Sequence, residues 1–78
     1  MSSLKAAKEI LSKVLYVPVN GIPDDASIAD VKPLDSLSFE ALILEIEERS
    51  GREVDPVLLV GMKTVEDLAN ILRTLEEA

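Results

Sequence analysis

The chain has no cysteine and no histidine among its 78 residues. Those two absences remove disulfides, the usual zinc-ligand sets, a thiol nucleophile and any Ser-His-Asp triad of its own. If the protein takes part in catalysis, another protein has to supply the acid and the base. Aromatic residues are scarce as well: Tyr16 and Phe39 are the only two, so the core must be built from Leu, Ile, Val and Ala. No apolar run approaches the roughly 20 residues of a membrane span, and the Met-Ser-Ser start lacks the apolar centre of a secretory signal. A cytoplasmic location is therefore expected. Positive charge is outnumbered, with 8 Lys and Arg against 15 Asp and Glu and a net charge of −7. That balance argues against nucleic acid, whose binding depends on cations displacing counterions from phosphate, and favours partners with basic surfaces.

What is present is a repeated helical pattern. A chain of this length makes one small domain, residues 1–78, that buries about 60 to 65% of its unfolded surface and has room for one site. Leu4, Ala7, Leu11, Val14 and Leu15 recur at helical spacing, Ile10 widens the stripe, and Lys5, Lys8, Glu9 and Lys13 take the opposite side. This predicts a first amphipathic helix, capped by Ser2 or Ser3 and stopped near Val17-Pro18. From residue 17 to 35 the periodicity is lost, and Pro18, Asn20-Gly21, Pro23, Asp24-Asp25 and Pro33 punctuate a long loop. Val19, Ile22, Ile28 and Val31 are expected to order that loop by reaching between helices, with a short helical turn within residues 25–31. Its aspartates do not form a calcium loop, because the alternating oxygen ligands, central Gly and terminal Glu of an EF-hand are missing.

A second helix is predicted from Ser36 to about Ser50, with Gly51 supplying the left-handed stop. Phe39, Leu42, Ile43 and Ile46 form one apolar stripe and Leu37, Ala41 and Leu44 another, which is broader than a single contact needs. Glu40, Glu45, Glu47 and Glu48 take the remaining surface. Glu45 with Arg49, and Glu48 with Arg52, have the spacing of weak helical ion pairs, about 0.2 to 0.5 kcal/mol each. Asp55 then caps a short helix from Pro56 to about Val60, ended by Gly61, with Val54 buried in the connector before it. Thr64-Val65-Glu66-Asp67 caps the last helix, whose Val65, Leu68, Ala69, Leu72 and Leu75 repeat at helical spacing. Glu76, Glu77 and Ala78 are expected to fray. The fold class is all-α: a small bundle of three long helices and one short helix with a long first loop.

The single stretch with chemistry is Asp35-Ser36-Leu37 at the start of the second helix. Asp35 can serve as N-cap, and Ser36 then falls on the first turn, where unpaired backbone N–H groups and the positive end of the helix dipole gather. A phosphate attached to that hydroxyl would lie against the helix N-terminus. On its own, serine is common at helix starts with no function beyond the helix.

Asp35-Ser36-Leu37 on an acidic amphipathic helix, in a chain of this size and helix order, resembles the acyl carrier protein family. Leu42, Glu47-Glu48, Gly51, Val54 and the stretch from Thr64 to Leu68 also match that family's general pattern, so the resemblance covers nearly the whole chain. It departs from the pattern on either side of the motif, with Lys32-Pro33-Leu34 before it and Ser38-Phe39 after it. The resemblance implies a 4′-phosphopantetheine arm, derived from coenzyme A, on Ser36, with Asp35 and Leu37 completing the motif. It further implies a monomeric, non-catalytic shuttle of acyl thioesters, freestanding and of bacterial type, in fatty acid or a specialised acyl pathway. Its expected partners are a phosphopantetheinyl transferase and acyl-transferring or chain-elongating enzymes with basic docking surfaces. Glu40, Glu45, Glu47 and Glu48 would meet those surfaces, and Phe39, one turn from Ser36, would either join the core or tune partner preference. An interior around Leu42, Ile46, Leu59, Met62 and Leu68 would open for the acyl chain. An aminoacyl or polyketide carrier, and an unmodified helical adaptor, remain alternative readings.

Overall fold

The computed structural model describes residues 3–77, and its order of elements follows the apolar pattern. Helix α1 spans Ser3–Leu15, a four-residue helix α2 spans Ile28–Val31, α3 spans Ser36–Ser50 and α4 spans Val65–Glu77. Single 3-10 turns occur at Val19–Gly21 and Pro56–Leu59. The fold is the expected small helical bundle, with α1 packed most extensively on α4 and less on α3, while α3 and α4 meet least. Ala7, Ile10, Leu11 and Leu15 of α1, Leu42 and Ile46 of α3, and Val65 and Leu68 of α4 are almost wholly withdrawn from solvent. Each Leu or Ile so buried contributes about 1.5 to 3 kcal/mol relative to exposure.

Several boundaries differ from expectation for local reasons. Ser3 is already helical, so it cannot be the cap of α1, and Ser2 lies outside the described residues. The short helix between α3 and α4 is a 3-10 turn ending at Leu59. Asp55 accepts the Val57 N–H at 3.0 Å and its carbonyl accepts the Leu58 N–H at 2.9 Å, a tight turn too short for α-helical bonding. Helix α4 extends through Glu77, with buried Leu72 and half-buried Leu75 packing its last turns on the core; Ala78 lies outside the described residues.

The end of α1 carries no glycine. Tyr16 takes the left-handed position itself, with φ of 59°, and the residue is 89% exposed. The helix is closed by the Val17 N–H on the Ser12 carbonyl at 3.2 Å, and the Ser12 hydroxyl donates to the Val17 carbonyl at 2.5 Å.

The long loop is ordered partly as expected. Ile22 and Ile28 are buried and Val31 is half-buried, but Val19 stays 38% exposed because it opens the 3-10 turn and Ile22 takes the inward place. A second anchor is the antiparallel bridge between Ser27 and Thr64. There the Ile28 N–H donates to the Lys63 carbonyl at 2.9 Å and the Val65 N–H to the Ala26 carbonyl at 3.1 Å.

Candidate functional site

The start of α3 is built by Asp35. Its backbone is extended, with φ of −94° and ψ of −177°, and its Oδ1 accepts the Ser38 N–H at 2.8 Å. The Asp35 carbonyl accepts the Phe39 N–H at 2.9 Å, which begins the helical ladder. The Ser38 N–H, followed by the Ser38 hydroxyl, holds the Asp35 carboxyl below its ordinary value of 3.8. It is therefore an anion at neutral pH and stays committed to the cap.

Ser36 is the first helical residue, and it is exposed. Its hydroxyl makes no hydrogen bond to any described residue. Of the first-turn backbone N–H groups, that of Ser38 is taken by Asp35, while those of Ser36 and Leu37 have no acceptor within the helical ladder. The arrangement presents an alcohol oxygen beside a ready anion-binding end, without a base of its own.

The surface of α3 that shares solvent with Ser36 is mixed. Leu37 is 77% exposed and Leu44 62%, and exposed Ala41, Glu40 and Glu48 lie among them. Phe39 is half-buried and packs on the core. Two of the four glutamates have internal work. Glu45 is only 8% exposed and faces α1, where its oxygens lie 3.1 Å from Lys13 Nζ and 3.2 Å from Arg49 Nε. Burial pushes its carboxyl up, but the hydrogen bonds and charges of Lys13 and Arg49 outweigh that and leave it below 4.5. Arg49 also reaches Glu9 of α1 at 3.4 Å. Glu47 is half-buried and accepts the Val54 N–H at 2.9 Å, fixing the connector after the helix. Glu45 thus does not belong to an outward acidic face, and Glu47 belongs to it only in part. Arg52 lies beyond α3, which ends at Ser50 where Gly51 turns the chain with φ of 71°, so Glu48 and Arg52 do not share one helix.

Near the motif lies a cleft of about 410 Å³ lined by Ser27, Ile28, Ala29, Leu34, Met62 and Lys63. Leu34 places it two residues ahead of Ser36. Of the interior residues expected to admit an acyl chain, Leu42, Ile46, Leu59 and Leu68 are packed in the closed core, whereas Met62 is half-buried and lines this cleft.

Residues 5–72 match a protein family described as a phosphopantetheine attachment site. The chain belongs to that family. As a carrier domain it is the site of covalent 4′-phosphopantetheine attachment, and domains of this family are non-catalytic carriers that work with a phosphopantetheinyl transferase and with partner enzymes. No solved structure matches the chain. The residues of this carrier domain fit the group: the hydroxyl that begins α3 is exposed and makes no hydrogen bond to a described residue, and a phosphodiester on it would lie at the positive end of the helix. Among the described residues no helix is long and apolar enough to cross a membrane.

The sequence did not disclose the bridge between Ser27 and Thr64. Its only visible sign was the capping pattern from Thr64 to Asp67, which speaks for the helix it starts and is silent about the loop that docks on it.

Proposed function

We propose that Ser36 is the residue that carries the arm, and that the protein is an acyl carrier protein folded as one domain. The observation that supports this most is the exposed, unengaged Ser36 hydroxyl at the start of α3 within the span matched to the attachment-site family. In loading, the Ser36 oxygen bonds to the phosphorus that bears pantetheine, the phosphoanhydride bond of coenzyme A breaks with its electron pair leaving on 3′-phosphoadenosine 5′-phosphate, and the hydroxyl proton passes to a base of the transferase. Asp35 holds the helix start rigid during that step, and the first-turn N–H groups offset the new negative charge. When bound, the arm supplies a terminal thiol that holds acyl groups as thioesters. Tethering then raises the cargo's effective concentration at a docked enzyme.

The docking surface proposed for this carrier is the outer face of α3, where Leu37, Ala41 and Leu44 offer apolar contact and Glu40 and Glu48 offer charge to basic partners. Asp35 and Leu37 flank the reacting oxygen. Phe39 sits behind it and acts through packing. The cytoplasm, and fatty acid or another acyl pathway, complete the reading.

Intact mass measured after incubation with coenzyme A and a phosphopantetheinyl transferase tests it. Wild type should gain one arm and Ser36→Ala none. A wild-type mass that stays unchanged removes the carrier reading and leaves a helical adaptor. Gain on Ser36→Ala would move the attachment elsewhere.

A further inference from the structure

We infer that Asp67 is a positioning residue for Ser36, acting through α2 as a strut between the start of α4 and the start of α3. The inference rests on the reading of Ser36 as the attachment residue.

The strut begins with a saturated turn. Asp67 Oδ2 accepts the N–H groups of Lys63 at 2.9 Å and Thr64 at 3.0 Å, and Thr64 Oγ1 accepts the Asp67 N–H at 3.0 Å. Those bonds orient the Lys63 carbonyl towards the loop. It accepts the Ile28 N–H at 2.9 Å and the Ser27 hydroxyl at 3.4 Å, while the Val65 N–H reaches the Ala26 carbonyl at 3.1 Å. Helix α2 starts at that junction, and its last bond runs from the Lys32 N–H to the Ile28 carbonyl at 3.0 Å. The Lys32 ammonium also donates to the Leu15 carbonyl at 3.3 Å, which ties the far end of α2 to α1.

Only Pro33 and Leu34 then separate Lys32 from the Asp35 cap. Proline fixes its own φ and restrains the residue before it, and Leu34 packs against the core. The connection from Asp67 to Ser36 therefore has few soft torsions. Asp35 by itself orders the first turn of α3 but does not fix where residues 26–34 lie beside it. Release of the bridge would free that segment next to Ser36, where a transferase must align the serine oxygen with a phosphorus atom to within a fraction of an ångström. The Asp67 carboxyl is held below its ordinary value by the Lys63 N–H first and the Thr64 N–H second, as expected of an anion that organises this turn.

The test is steady-state loading by a phosphopantetheinyl transferase combined with amide hydrogen exchange. Asp67→Ala should raise the KM for the carrier about three- to tenfold with kcat within about twofold of wild type, as when only part of the population is competent to bind. Exchange at Ile28 and Val65 should quicken in the same variant. Asp67→Asn, which keeps an acceptor oxygen, should restore both. Leu75→Ala loosens the other end of α4 and should leave KM alone. If Asp67→Ala does not fold, Thr64→Ala, which removes the hydroxyl that accepts the Asp67 N–H, takes its place. A wild-type protein that is never loaded refutes the attachment reading instead. Loading of wild type together with an unchanged KM in a variant whose exchange has quickened overturns the strut, as does an equal KM rise in Leu75→Ala.

Discussion

Helices α3 and α4 begin with the same vocabulary, a carboxylate and a hydroxyl, and put it to opposite uses. At α4 the carboxylate and the hydroxyl are both engaged: Asp67 Oδ2 takes two backbone N–H groups and Thr64 Oγ1 accepts the Asp67 N–H. At α3 Asp35 takes one backbone N–H, that of Ser38, and the neighbouring hydroxyl of Ser36 is left to the solvent. A helix start becomes a structural joint when another segment docks on it, as the stretch around Ser27 does on α4. Where nothing covers it, as at Ser36, the hydroxyl stays accessible, which is what the proposed attachment needs. Residue type does not separate the two; surroundings do.

The contrast can be broken most sharply at the cap of α3. Asp35→Ala should lower the efficiency of loading about fivefold by loosening the first turn, while exchange at Ile28 and Val65 stays as in wild type. Quickened exchange there would show that the two helix starts are one cooperative unit and would erase the distinction between them.

A smaller effect is expected where α3 is fastened to α1. Glu45→Ala should cost about 1 kcal/mol in chemical denaturation, because Lys13 and Arg49 lose a shared, mostly buried partner whose attraction is partly offset by desolvation. The pH dependence follows from the lowered carboxyl. Its contribution is fully present above the ordinary value of 4.5 and is lost as pH falls through the folded-state value beneath it. Acid titration of stability should therefore be shallower in Glu45→Gln than in wild type, and identical curves would mean that the pair is idle.

The smallest effect is kinetic and concerns the outward face alone. Reversal of Glu40 and Glu48 to Lys should slow loading about two- to threefold at low salt, and the difference should vanish as salt is added. Glu47 is left intact in that variant because it also fixes Val54. Equal rates at every salt concentration would confine recognition to the apolar residues and the motif.

Much of this was legible in the chain. The stripe of Leu4, Ala7, Leu11, Val14 and Leu15 and that of Val65, Leu68, Ala69, Leu72 and Leu75 predicted two of the long helices, since a one-sided apolar repeat of helical period has few other ways to be buried. Asp35 before Ser36 marked the third helix start through local chemistry. The glutamates of α3 were harder. Glu45 and Glu48 look alike in sequence, and only the approach of Lys13 from another helix turns one inward. Tyr16 gave no sign that it would take a conformation usually left to glycine, a cost of about 1 to 2 kcal/mol that the bonds between Ser12 and Val17 hold in place.

The amino-acid order by itself determined the helices, their caps and the one alcohol set at a helix start, because those depend on neighbours within four residues. It was the tertiary structure that decided which carboxylates face outward, that the 410 Å³ cleft forms beside Leu34, and that the long loop is moored to α4. The pairing of Glu45 with Lys13 and the docking of residues 26–28 on Lys63 and Val65 each bring together residues more than thirty positions apart, and no local pattern encodes such a meeting.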